Sequence, residues 1–217
     1  MSKKLAQKTL AIAIMTLASS MAYAQSTTIN AEGSTIEQIQ KGTNGLQEMD
    51  LGNSTDGGTT NLTITGTIHQ EQGGTDNKQY LRVGNAYGGS SSSNVSVKDV
   101  TQTQAGGKNN TQTLEIGEAQ GGTSNVTISG KVTQSQTDGT GFEQTMQIGN
   151  AYSGHTSNVT ITGDVTQTQS GGTGGKKIQE ALIGNAIGGD TQVTLGTFKQ
   201  DQRGTGGTQR ARIGNAY

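Results

Sequence analysis

The sequence predicts an all-β fold, a single-domain β-solenoid of six stacked rungs of about 32 residues, each with two to three short strands and glycine-rich turns. Three observations lead to this prediction. A motif of the form apolar-x-Gln-x-Gln recurs along the chain, a second motif ending in Gly-Asn-Ala follows it, and alternating β-branched runs such as NVTIT at 158–162 precede most copies. Alternation puts successive side chains on opposite faces of a strand, which is typical of strands with one buried face.

The glutamine motif sets the period of the repeat. Its first glutamine advances by 32, 32, 32, 33 and 33 residues. A side-chain amide has both donors and an acceptor, so glutamines stacked at this spacing can bond to the glutamine above and below. We therefore predict a parallel, in-register ladder. Its members are Gln38, Gln70, Gln102, Gln134, Gln167 and Gln200.

The second motif follows the first in every copy, and only its details vary. It begins at a glutamine and ends in Gly-Asn-Ala, except that the third copy has Glu118 in place of the asparagine and the first copy has Ser54 in place of the alanine. Length differences between copies fall in glycine-rich stretches such as 171–175, and insertions are expected in turns. The predicted rungs span approximately 25–58, 59–89, 90–122, 123–154, 155–189 and 190–217.

The first 24 residues have the pattern of a Sec-type signal peptide. Three lysines precede an apolar run at 9–18, and the A-x-A site Ala22-Tyr23-Ala24 follows. We therefore predict that residues 1–24 are removed and that the six-repeat domain, residues 25–217, is secreted to the extracellular space or the cell surface. Removal leaves 12 of the 15 basic residues against 16 acidic ones. This negative balance argues against nucleic acid or an anionic membrane as the main partner, and no membrane insertion is expected.

The charges of the two end rungs have opposite signs. Residues 25–58 have a net charge of −4, and residues 190–217 have a net charge of +2. Aligned by motif, three residues of the first rung match three residues of opposite charge in the last: Glu37 with Lys199, Glu48 with Arg210, and Asp50 with Arg212. Within the chain, the same position of the first three repeats is occupied by Asp50, Arg82 and Glu115, so the charge at that position alternates in sign. No capping segment is evident at either end, so we predict head-to-tail assembly of copies into a filament.

These features resemble the curlin repeats of bacterial curli-like functional amyloids. The likeness rests on an exported Gly/Gln/Asn/Thr-rich chain, strands such as VTQTQ, and a Gly-Asn-Ala step. The resemblance implies stacked inward glutamines and asparagines, a biofilm or adhesion role, and as partners a nucleator subunit and an outer-membrane secretion channel. The asparagines it assigns to the stack are Asn53, Asn85, Asn150, Asn185 and Asn215. The repeat is longer than a curlin repeat by about one strand, which favours three strands per rung.

Catalytic chemistry is not indicated by the sequence. There is no cysteine, the two histidines do not belong to a periodic cluster, and the acidic residues do not recur at a fixed place in the repeat. We therefore expect no enzyme activity, no cofactor and no metal site. Three functions remain: a secreted subunit of extracellular filaments, a monomeric β-solenoid adhesin, and an ice-binding solenoid suggested by outward threonine pairs. Charged residues interrupt those pairs in several rungs, which disfavours the third.

Overall fold

The computed structural model describes residues 27–31, 33, 35–42, 44–54, 57–89, 91–153, 155–171, 177–204 and 206–216. All regular elements within these ranges are β-strands, so the predicted all-β fold is confirmed. This part of the chain has no helix that could span a bilayer. The signal peptide predicted for residues 1–24 lies outside the described residues.

The strands form three columns, and every rung contributes one strand segment to each column. Column I contains β1 (Thr27–Ala31), the first half of β4 (Thr59–Gly73), the first half of β6 (Ser92–Ala105), β9 (Ser124–Ile128), β13 (Ser157–Ile161) and β16 (Thr191–Leu195). Column II contains β2 (Ile36–Lys41), the second halves of β4 and β6, β10 (Val132–Thr137), β14 (Val165–Gln169) and β17 (Phe198–Gln202). Column III contains β3 (Leu46–Leu51), β5 (Lys78–Val83), β7 (Thr111–Ile116), β11 (Glu143–Ile148), β15 (Lys177–Ile183) and β18 (Gly207–Ile213). The two-residue strands β8 (Ala119–Gln120) and β12 (Ala151–Tyr152) pair with each other.

Neighbouring strands of a column are parallel and lie one rung apart. In column II, Gln134 lies opposite Gln102 of the preceding rung and Gln167 of the following one. In column III, Gln144 lies opposite Gln112. Because equivalent residues of successive repeats are paired, the predicted in-register stack is confirmed, with three strand segments in each rung.

The hydrophobic core is enclosed by the three columns. In the fifth rung Val159, Ile161 and Val165 are at most 1% exposed, and Ala181 and Ile183 are fully buried. Alternate residues of each strand thus point inward, as the alternating pattern of this copy predicts. Each of the four middle rungs has rungs above and below that cover its inner side chains, so burial depends on stacking rather than on any single repeat.

A glycine follows each strand of column III and turns the chain into the Gly-Asn corner. Gly149 has a φ of +62°, and a Cβ at this position would lie 2.4 Å from Cγ2 of Val159. At Gly117 and Gly184 the corresponding distances to a valine Cγ2 are 2.3 and 2.2 Å. A left-handed φ without space for a Cβ requires glycine. The repeated Ile-Gly-Asn step therefore has a steric cause.

Candidate functional site: amide ladders and end rungs

The first glutamines of the six rungs form a continuous line of side-chain hydrogen bonds. From the second rung onward, each Nε2 donates to the Oε1 of the glutamine in the preceding rung, over distances of 2.7 to 3.0 Å. The four central members are fully buried. The structure therefore brings together all the glutamines predicted for this ladder, namely Gln38, Gln70, Gln102, Gln134, Gln167 and Gln200.

Two further glutamine columns, which the sequence analysis did not assign to a ladder, form the same bonds. The second glutamine of the motif bonds between rungs over 2.6 to 3.2 Å, and the glutamine that begins the second motif over 2.7 to 3.0 Å. Their recurrence with the same period was the pattern that could have identified them. The members are Gln40, Gln72, Gln104, Gln136, Gln169 and Gln202, and Gln47, Gln79, Gln112, Gln144, Gln179 and Gln209.

All of these amides point in the same direction along the stack. In the first ladder, Nε2 also donates across the core to a backbone carbonyl of column III, from Gln134 to Thr145 at 2.8 Å and from Gln167 to Glu180 at 3.0 Å. A backbone carbonyl oxygen can accept a hydrogen bond from the side-chain nitrogen but not from the side-chain oxygen. This second bond therefore fixes which way the glutamine amide is oriented. At the open side of the first rung the ladder therefore ends in an amide N–H. At the open side of the last rung it ends in an amide oxygen.

The asparagines expected from the family resemblance also stack, with the backbone amide as an additional donor. Asn185 donates to Oδ1 of Asn150 through both its backbone N and its Nδ2, each at 2.9 Å. Asn215 bonds to Asn185 in the same manner. Asn85 donates its backbone N to Oδ1 of Asn53 at 2.8 Å. The five expected asparagines therefore occupy one column.

Glu118 occupies the same column in the third rung. Its backbone N donates to Oδ1 of Asn85 at 3.0 Å, and Nδ2 of Asn150 donates to both carboxyl oxygens at 3.1 and 3.0 Å. Only 3% of Glu118 is exposed. Burial raises the pKa of its carboxyl group to about 8, and the nearby Glu115 adds to the rise, whereas the hydrogen bonds from Asn150 oppose it. This carboxyl group is therefore mostly uncharged at pH 7.

Arg82 connects the first three rungs on the outer face of column III. Its Nη1 contacts the carboxylates of Glu48 and Asp50, and its Nε lies 3.6 Å from Glu115. The guanidinium also lies over the ring of Tyr80, 5.2 Å from the ring centroid. The predicted alternation of sign between Asp50, Arg82 and Glu115 is thus confirmed. Because three carboxylates share one guanidinium, this group has a net negative charge at the first-rung end of the molecule.

The last rung has exposed cations at the matching positions. Arg210 lies 3.4 Å from Glu180, Lys199 lies 3.7 Å from Asp201, and the side chains of both cations are more than half exposed. Arg212 is also exposed. The six residues predicted for head-to-tail contact, Glu37, Glu48, Asp50, Lys199, Arg210 and Arg212, therefore lie in the two end rungs of one chain. They could meet their predicted partners only in a second copy.

The last rung also has a free strand edge. Within the described residues, β16, β17 and β18 each pair with a neighbour on one side only. Inward side chains of this rung, Val193, Leu195, Phe198 and Ile213, pack against the core but are only partly buried. The last rung therefore presents unpaired backbone groups, apolar surface and amide oxygens together.

No protein-family model matches this chain, and neither a curated protein nor a solved structure shows a match. The described residues contain no group of three or more His, Asp or Glu side chains that could hold a metal ion. The ladders and the two end rungs are therefore the features from which a function can be inferred.

Proposed function

We propose that this protein is a secreted structural subunit that assembles head to tail into extracellular β-solenoid filaments for biofilm matrix, adhesion or a surface fibre. The observation that carries the proposal is the last rung, where a free strand edge, partly exposed core residues and outward-directed amide oxygens coincide. Such an edge is a template for a further strand. The resemblance to curlin repeats supports the same class of function.

The amide ladders favour one orientation of the second copy. If the first rung of a second copy stacks on the last rung, Nε2 of its Gln38 can donate to Oε1 of Gln200, as Gln200 itself donates to Gln167 at 2.7 Å. Two first rungs in contact would place amide N–H groups against each other, and two last rungs would place amide oxygens against each other. The ladders therefore support a polar, head-to-tail contact.

The outer charges support the same contact. Arg210 would lie opposite Glu48, and Arg212 would lie opposite Asp50, next to the carboxylates that share Arg82. Unlike charges directly opposite each other across neighbouring strands contribute about 0.2–1 kcal/mol per pair. These pairs can therefore select the direction and register of stacking, whereas backbone bonds and apolar burial would supply most of the affinity.

Reversal of the two arginines, Arg210→Glu with Arg212→Glu, is expected to slow fibril elongation about tenfold at low ionic strength, since two attractive contacts become repulsive. Elongation rates can be measured from sheared seeds by dye fluorescence. The matched control is Lys108→Glu with Lys131→Glu, which makes the same charge change at exposed sites of middle rungs. Equal slowing by both pairs would show an effect of net charge and would contradict the proposed register.

The alternative function is a monomeric β-solenoid adhesin. Light scattering of the mature chain, residues 25–217, distinguishes the two functions. Growth into filaments at neutral pH supports the structural subunit. A species that stays monomeric over days at high concentration would instead favour the adhesin.

A further inference from the structure

The bonding of the asparagine column is not uniform, because Asn85 of the second rung reaches Asn53 only through its backbone N. In the fifth and sixth rungs each asparagine donates two bonds, from its backbone N and its Nδ2, to the preceding asparagine. At the third rung only the backbone N of Glu118 reaches Oδ1 of Asn85. Nδ2 of Asn85 instead donates to the hydroxyl of Tyr87 at 2.9 Å and to Oε2 of Glu115 at 3.2 Å. The side-chain link of the column is therefore replaced at this step by a carboxyl group.

The groups around this carboxyl are mainly acidic or neutral. Glu115 lies in the same rung, Tyr87 follows the corner of the second rung, and Tyr152 of the fourth rung bonds to Glu118. Burial and the neighbouring carboxylates raise the pKa of both tyrosine hydroxyls, so these remain neutral donors. Arg82 is paired with Glu115, and no salt bridge joins Glu118 to a described residue. An ionised Glu118 would therefore be a buried charge without a direct counter-ion.

We propose that Glu118 acts as a proton-dependent switch in the stack. In the neutral form its carboxyl group accepts the bonds from Asn150 in place of an asparagine oxygen, and in the ionised form it keeps these bonds but places a buried charge without a counter-ion between the second and fourth rungs. The inference deepens the proposed function, because a less stable stack should also assemble less readily. Its effect on folding does not depend on assembly.

The direction of the pH effect follows from the two protonation states. The pKa of Glu118 in the folded chain is about 8, above the ordinary value of 4.5. The stabilisation by the neutral carboxyl group is therefore complete below about pH 4.5 and is lost as the pH rises through 8. From this group alone, the unfolding equilibrium constant should rise on the order of 200-fold between pH 5.5 and pH 8.5.

The first test compares the mature chain with Glu118→Asn, which restores the asparagine of the column, and with Asp164→Asn, which removes one acid from an exposed site. Urea unfolding at pH 5.5 and 8.5 is followed by circular dichroism. The wild type and the Asp164 variant should show the large rise in the unfolding equilibrium constant between pH 5.5 and pH 8.5. In the Glu118 variant this rise should be smaller by a factor of at least about 100. Equal pH effects in the wild type and the Glu118 variant would overturn the proposal.

A second test observes the carboxyl group directly. With ¹³C-labelled glutamate, NMR at pH 7 should show one protonated side-chain carboxyl group in the wild type and none in Glu118→Asn. This measurement applies to the monomer and to the filament, so a failure to form filaments would disprove the proposed function without affecting the switch. A wild-type spectrum in which all glutamates are ionised at pH 7 would disprove the switch.

Discussion

Gln134→Glu is expected to lower the free energy of unfolding by about 3–5 kcal/mol at pH 7. Nε2 of Gln134 donates to Oε1 of Gln102 at 3.0 Å and to the carbonyl oxygens of Gln112 and Thr145 at 3.2 and 2.8 Å. Burial should raise the pKa of the new carboxyl group, so the folded chain must either hold a buried negative charge against three acceptors or take up a proton and donate only one hydrogen bond, and both cost stability. Urea unfolding measured by circular dichroism gives the change, and filament formation by this variant should fall in parallel.

The matched control is Gln192→Glu, the same chemical change on the exposed outer face of the last rung. Its free energy of unfolding should stay within about 0.5 kcal/mol of the wild type, because an exposed carboxylate remains hydrated. Part of the stability of Gln134→Glu should return as the pH falls from 7 toward 5, because the buried carboxyl group then becomes neutral and can donate one hydrogen bond. Similar stabilities of Gln134→Glu and the wild type at pH 7 would mean that the ladder contributes little to the fold.

Gly149→Ala is expected to lower the free energy of unfolding by about 2–4 kcal/mol. Two costs combine, because the φ of +62° disfavours any residue with a Cβ, and that Cβ would lie 2.4 Å from Cγ2 of Val159. The valine belongs to the first strand of the next rung, so relief of the overlap would displace a strand of the core. Thermal unfolding of the mature chain measures the effect as a lower midpoint.

Gly106→Ala separates the two costs. Gly106 also has a positive φ, +79°, but no atom lies within 4 Å of the position that its Cβ would take. Only the backbone cost of about 1–2 kcal/mol should remain. If the two alanine variants were equally stable, close packing against Val159 would not be the reason for glycine at the Gly-Asn corner.

The stacking of the repeats could be predicted from the sequence because in-register stacking requires the same residue type at a constant spacing. The period of the glutamines predicted the ladder that runs from Gln38 to Gln200. The alternation of apolar residues predicted that Val159 and Ile161 point inward. Both predictions depend only on spacing along one strand or between strands. The structure confirms them because neighbouring rungs repeat the same local geometry.

Features that depend on the orientation of individual side chains could not be predicted in this way. Residue types alone do not determine the common direction of the amides, which the carbonyls of the opposite column fix. At position 118 a carboxyl group replaces an asparagine, which would suggest an interrupted column, yet its burial and the bonds from Asn150 keep it in place.

Lys177 is a second such case. Its Nζ donates to the backbone carbonyls of Gly171 and Arg203, both at 3.1 Å, at a position that asparagines fill in the second and third rungs. Asn77 and Asn110 use their Nδ2 groups in the same way, to bond to turn carbonyls. A lysine in a glycine-rich segment suggests an exposed turn, whereas this lysine is only 1% exposed. The shared role depends on the reach of the side chain to the carbonyls, and a repeat pattern does not contain that information.

Head-to-tail growth is tested most directly by electron cryomicroscopy of the material formed by residues 25–217. Six rungs with a spacing of ~4.8 Å between neighbouring strands predict an axial rise of ~29 Å per subunit, with the strands perpendicular to the filament axis. The map should show the last rung of one copy against the first rung of the next, with Arg212 beside Asp50. Filaments joined through their outer faces with the last rung uncovered, or a protein that remains monomeric, would contradict the account.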